Sequence, residues 1–599
     1  MSRLLLPAAL AALLLVPNPN FARDDDPKPT APAPKKVEPP TVAHVLLTGD
    51  MDESPVSADG LFGPPPENFR IKLERIRKAA KDDKVKALYL EIGSLGIGFG
   101  KLHELKVAIE EVKAANKKVF AYAESAGTKE YLLGLCADAF VLPEGGTLNL
   151  VGLRAEVTLY KDVLKLLKLE VDVLKMGEFK GAVEPFVNDQ LSKANREQIT
   201  SMLNDNFEQE IVKAMTARKG KTMTAKQAED AIDGGPYTAP KALKLGLIDA
   251  VQYPDEFEAG FAKAVGVPNI KVTRGYGKAK AADADMNPLA LFAALGGGAK
   301  KKPESKKDKI AVVYAVGGID TGKGGVSPLT GETVGSDTLV EAIKEADDNP
   351  TVKAIVLRID SPGGSALASD LIWRAIVQCK KPVIASMGDV AASGGYYIAM
   401  GCKKIYAEPG TITGSIGVFG MKIVTGGLEN WVGMKTEVIA RGKNSGVNST
   451  TFKWNESERA AMQETIEAIY DTFIDKAVAG RQKAGVKITR DELLKLAGGR
   501  VWTGRQAKAN GLVDTLGTLD DAIADAKKSV GIDAKAEMEL LILPKPTSFL
   551  DKLMDGGFGL SAEAKTLPGA DRAMKLAGPL LGARKNPVQM LMPFGVEWK

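Results

Sequence analysis

Two glycine-flanked serine turns carry the chemistry on offer in this sequence. The first, DSPGGS at 360–365, follows the apolar run AIVLRI and precedes a helical pattern, so it reads as a strand-to-helix turn. Gly363 and Gly364 let a ligand approach the backbone closely and offer N–H groups near a helix N-terminus. A tight turn that holds nothing has the same local sequence. The second, GDVAASGGYY at 388–397, follows the apolar run PVIASM and again opens a helix. Ser393 lies between small residues, so its hydroxyl has little steric cover, and the Gly394 N–H stands where an oxyanion would form. Acyl transfer needs this pairing of a reactive hydroxyl with backbone donors. A serine that merely caps the following helix is the plainer alternative.

A serine nucleophile needs a base, and the chain has only two histidines, His44 and His103. His44 falls in an opening strand and His103 in a polar helix start, so neither is placed to serve, and no GxSxG elbow occurs. An internal duplication points to another base. VKALYLEIGS (85–94) matches VKAIVLRIDS (352–361), KKVFAYAES (117–125) matches KPVIASMGD (381–389), and EYLLGLCADAFVLPEGGTL (130–148) matches YYIAMGCKKIYAEPGTIT (396–413). KLEVDVLKMGEFKG (168–181) then matches GMKTEVIARGKNSG (433–446), with the offset held at about 264 to 267 throughout. In the first copy Gly127 stands opposite Ser393 and LGIG (95–98) opposite SPGG, so the hydroxyl and the first glycine are lost there. Conversely, Lys180 of the first copy stands opposite Ser445 of the second. One copy has the serine without the lysine, the other the lysine without the serine. A single site assembled from both copies explains this complementarity; a solvated surface lysine is the ordinary alternative.

Lysine acts as a base only if its pKa falls well below about 10.4, which burial in an apolar pocket achieves. Phe179, Val183 and Phe186 offer Lys180 such cover, and Lys443 is a substitute two positions from the aligned site. Ser415, in GTITGSIGVFG (410–420), is a hydroxyl able to orient the amine, or simply part of a Gly-rich turn.

The elements that must position these residues are β-branched runs alternating with helical patterns, including helices over 103–115 and 366–377. This is the signature of βαβ units with a mainly parallel, helix-covered sheet. Two tandem units are expected, at 43–277 and 310–540, joined by a linker over 278–309 that ends in KKKPESKKDK. Before them lie an export signal or short anchor (1–22) and a Pro-rich charged tether (23–42); after them comes a tail, 541–599, with no assigned role. The apolar stretch Leu4 to Val16 is shorter than the roughly 20 residues a spanning helix needs. Export predicts a body outside the cytoplasm.

Composition sets further limits. The net charge of +5, against 80 basic and 75 acidic groups, and the lack of a basic stripe with aromatics argue against nucleic acid. Three cysteines make no disulfide framework, and no Cys/His cluster has metal-ligand spacing. No cofactor is expected.

Taken together, DSPGGS (360–365), MGDVAASGGYY (387–397), TGSIGVFG (413–420) and FKGAVEPF (179–186) resemble the long, duplicated form of the signal peptide peptidase A (protease IV) family, over roughly residues 43 to 540. The resemblance implies tandem ClpP/crotonase-like α/β units and a serine endopeptidase. In that scheme Ser393 is the nucleophile, Lys180 the general base and Ser415 its support. Backbone N–H groups of Gly363, Gly364 and Gly394 form the oxyanion hole. It also implies released signal peptides as substrates, membrane association on the periplasmic side of the cytoplasmic membrane, and a homo-oligomer, a tetramer in long members. Two other readings share parts of this pattern. A crotonase-like acyl-CoA enzyme has the fold and the glycine turn, but its cofactor is cytoplasmic. An inactive scaffold would lack the serine or the lysine in both copies, and both are present here.

Overall fold

The computed structural model describes residues 39–56, 65–218, 220, 222–279, 305–327, 331–546, 588–591 and 597–598. The signal or anchor (1–22), most of the tether and most of the linker lie outside these residues. In the first half, the apolar runs form a six-stranded, all-parallel sheet. Its order is Lys271–Thr273, Thr41–Gly49, Val85–Leu95, Lys118–Tyr122, Ala139–Leu142, Ala250–Val251. The second half repeats the plan with Glu539–Leu543, Lys309–Val316, Val352–Ser361 and Val383–Ala392 in parallel. Ile412–Gly414 and Lys404–Ala407 both pair parallel with Val383–Ala392, at its two ends. Central strands are apolar on both faces, as Val356, Leu357 and Ile359 illustrate, because helices pack on either side. The duplicated α/β plan is therefore real. The expected helices are Phe99–Ala114 and Ala366–Gln378.

Unit boundaries differ slightly from those read in the sequence. The strand Glu539–Leu543 runs through residue 540 and pairs beside Lys309–Val316, which itself begins before 310; the first sheet opens at Thr41 rather than 43. Strand pairing, which composition does not reveal, sets these limits.

A third, seven-stranded sheet joins the halves. Glu170–Lys175 of the first half pairs antiparallel with Phe419–Val424 of the second. Part of the tail enters this sheet too. Val588–Leu591 lies antiparallel to Gly363–Ser365 on one side and to Phe419–Val424 on the other. The duplicated segment 435–440, aligned with 170–175, is no strand and is exposed, Ile439 almost entirely so. Its counterpart finds a strand edge across the half-to-half boundary, whereas 435–440 pairs with none among the described residues. No described helix is long and apolar enough to cross a membrane, and no described group of His, Cys, Asp or Glu side chains could hold a metal.

Candidate active site

Ser393 follows the strand Val383–Ala392 and precedes the short helix Gly394–Ala399. Its backbone is held at φ 56°, ψ −111°, a conformation L-residues rarely adopt and one costing on the order of 1–3 kcal/mol. Two hydrogen bonds impose it: the Ser393 N–H donates to Gly414 O (2.8 Å), and Ser393 O accepts the Tyr397 N–H (2.8 Å). The sharp turn points the hydroxyl away from the helix it begins, so the helix-cap alternative fails; the side chain makes no cap hydrogen bond.

Lys180 comes from the other half, 213 residues earlier, and its Nζ lies 2.7 Å from Ser393 Oγ. The amine also donates to Ser415 O and Ser415 Oγ, each at 3.0 Å. Three contacts suit a neutral amine: two N–H donors for Ser415 and one lone pair for the Ser393 hydroxyl. Lys180 is fully buried, and burial drives its pKa well below the ordinary lysine value. No carboxylate opposes that shift. Val183 and Phe186, close in sequence to Lys180, are buried in one cluster with Phe419 and Met421, and Phe179 stacks under Arg500. The alternative lysine, Lys443, is exposed.

Ser415 also has a positive φ, 52°, and its N–H donates to Arg500 O (2.7 Å). Gly363 and Gly364 lie against the nucleophile turn. A Cβ on Gly394 would come within 3.1 Å of both Gly363 Cα and Gly364 N, so this approach requires glycine. The Gly363 N–H is engaged by Ser361 Oγ (3.2 Å). Gly364 lies in register with Ile319 on one side and Met590 on the other, and the first N–H of the Gly394 helix has no partner within that helix. Both histidines are engaged elsewhere, His44 with Glu91 and His103 with Glu408.

Sequence reasoning missed the residues that hold the lysine loop. The fully buried Gln198 donates to Phe179 O (2.9 Å) and accepts the Val501 N–H (3.0 Å), pinning the loop to the second half. Gly499, at φ 85°, lets that strand pass so near that a Cβ would meet Lys180 N at 2.5 Å. GGR at 498–500 was the available signal: two glycines just before a strand mark a close backbone approach.

The chain matches the sequence pattern of Peptidase family S49 over residues 111–268 and 375–533. It is 33% identical over 507 residues to the chloroplastic Serine protease SPPA of Arabidopsis thaliana, covering 84% of this chain and 71% of that one. It is 32% identical over 530 residues to Protease 4 of Salmonella typhi, covering 86% and 80%. Protease 4 of Haemophilus influenzae is 31% identical over 471 residues, covering 76% and 72%. With a buried amine against a strained serine and these relatives along most of its length, the chain belongs to peptidase family S49 and is a serine-type endopeptidase.

Proposed function

We propose that this endopeptidase works through a Ser393–Lys180 dyad on apolar peptides, released signal peptides foremost. Neutral Lys180 removes the Ser393 proton as the oxygen attacks a peptide carbonyl, and the resulting oxyanion is held by the N–H groups of Gly364 and Gly394. The lysine returns the proton to the departing amine, and water repeats the cycle on the acyl-enzyme. Ser415 holds the amine with its lone pair toward Ser393. The contact that carries this reading is Lys180 Nζ to Ser393 Oγ at 2.7 Å inside a fully buried pocket.

Substrate geometry follows from the sheet. An extended peptide fits the slot that Val588–Leu591 now fills, where backbone hydrogen bonds supply affinity and leave specificity to side-chain pockets. The apolar stretch at residues 4–16 supports export, with the body on the periplasmic side of the cytoplasmic membrane. Association with that membrane and a homo-oligomeric state, both implied by the family resemblance, belong to the same reading.

The test is hydrolysis of a fluorogenic signal-peptide segment by the full chain, Ser393→Ala and Lys180→Met. Both substitutions are expected to abolish turnover; activity surviving either one refutes the dyad. Comparing that segment with a polar peptide of equal length tests the substrate class, and equal kcat/KM values reject the apolar preference.

A further inference from the structure

The first-half segment Gly96–Lys101 stands opposite the oxyanion turn of the second half and has lost its chemistry, yet its glycines are not idle. The helix Phe99–Ala114 begins at Gly98, which has no side chain to cap it. Asp389 of the second half takes that place: its Oδ2 accepts the Gly98 N–H and its Oδ1 the Lys101 N–H, each at 2.8 Å. A Cβ on Gly98 would lie 2.5 Å from Asp389 Cγ, and one on Gly100 would lie 2.7 Å from Gly388 O. The glycines are there because the second half passes against them.

Lys101 completes the contact. Its Nζ sits 2.6 Å from Asp360 Oδ2 and 3.2 Å from Asp389 Oδ2, with all three side chains nearly buried. Asp360 also accepts the Val390 N–H (3.0 Å). These carboxylates occupy two critical points. Asp360 stands three residues before Gly363, at the root of the oxyanion turn, and Asp389 four residues before Ser393. One ammonium thus ties the root of the oxyanion turn to the root of the nucleophile turn, and it comes from the half that also supplies Lys180.

We propose that Lys101 is a positioning residue for the reaction, fixing the oxyanion turn relative to Ser393 through Asp360 and Asp389; this rests on the dyad reading above. Displacements of about 1 Å between reacting groups cost on the order of 100-fold in rate; Lys101 bonds both aspartates, while Lys129 adds a positive charge near Asp389 alone. Glu53 and Arg358 face the cluster from behind Gly388, with Glu104 paired to Arg358 on the Lys101 helix. Burial pushes Asp360 and Asp389 up and Lys101 down, and the ion pairs oppose it. Lys101 ends up raised, Asp389 lowered, and Asp360 pushed up to about 6. Removing the cation takes away the attraction that lowers both carboxylates.

The test compares Lys101→Met, Lys101→Arg and Ser393→Ala in the full chain, on one fluorogenic apolar peptide, with folded fraction measured at the assay temperature. Lys101→Met is expected to lower kcat about 10- to 100-fold with KM within about threefold, which separates lost positioning from lost binding. It is also expected to move the acid limb of the kcat profile to higher pH. Lys101→Arg keeps the charge and is expected to recover most of the rate and the parent acid limb. The proposal is overturned if Lys101→Met keeps kcat within about threefold of the parent, or if its loss only tracks a loss of folded protein. It is also overturned if Lys101→Arg is as slow as Lys101→Met. Ser393→Ala separates the two readings: if it stays active the dyad fails, whereas if it is dead while Lys101→Met is fast only the positioning role fails.

Discussion

Gly127 and Ser393 hold corresponding positions, each just before a short helix, Thr128–Gly134 in one half and Gly394–Ala399 in the other. Their backbones reverse what residue type alone suggests. The glycine, free to adopt positive φ, sits at φ −84°, ψ −169°, while the serine is held at φ 56°, ψ −111°. Strain at this turn is therefore a property of the second half and not of the fold. In the first half Glu130 accepts the Leu95 N–H at 2.7 Å and the Gly127 N–H at 3.0 Å, closing the capping box of the helix Thr128–Gly134 and tying it to the strand Val85–Leu95. In the second half the position aligned with Glu130 is Tyr396, whose hydroxyl donates away from the site to Leu512 O. The first copy is unstrained at this turn, whereas the second bears the strain.

The strongest way to break this comparison is to remove either dyad member. Ser393→Ala and Lys180→Met should each lower kcat at least about 10⁴-fold, because residues acting as one unit fail together. Mixing the two dead variants should restore nothing, since lysine and serine meet within one chain; recovered peptide hydrolysis in the mixture would mean that dyads form between chains. Next in size is the tail strand. Truncation before Val588 vacates the slot beside Gly363–Ser365 and should lower KM for an extended apolar peptide by about 3- to 10-fold, since an internal occupant reduces the fraction of competent sites. An unchanged KM would show that the tail does not compete there.

Smaller effects sharpen the contrast in strain. Holding Lys180 neutral costs stability: its folded pKa lies below the unfolded value of 10.5, so the cost is absent above about pH 10.5 and grows as pH falls toward the depressed value. Lys180→Met should raise the melting temperature by about 2–4 °C at neutral pH and by less near pH 10, as read by calorimetry. The same shift sets the sign for activity, which should rise with pH through the lysine's lowered pKa as the free base appears. Smallest of all is the attempt to revive the empty half. Gly127→Ser with Ser445→Lys should give no turnover in a Ser393→Ala background, because the turn at Gly127 lacks the strained conformation of Ser393 and residue 445 lies in an exposed segment. Any hydrolysis in that triple variant would refute the view that the first-half site is closed.

Much of this could be read from the sequence because it is local or repeated. The AASGG turn announces a serine with bare flanks, and the complementary mismatch of Lys180 and Ser445 directs the search for a base to the other half. What could not be read depends on contacts between distant segments. LGIG at 95–98 looks like a decayed oxyanion turn, and only the packing reveals that Gly98 and Gly100 admit Asp389. The same limit applies to 170–175 and 435–440, which have matching patterns and different structures because only one meets a strand edge. Gln198, the bond of Glu130 to Leu95 and the tail strand belong to the same class: each is defined by a partner tens to hundreds of residues away.

On the proposed dyad, its division between the halves also sets a timetable for the cell. Ribosomes deliver Lys180 first and Ser393 213 residues later. A chain interrupted anywhere between them holds a base with nothing to activate. A full-length chain whose second half has not yet docked holds a serine with no proton acceptor. In that reading proteolysis is withheld until synthesis and folding of both halves are complete.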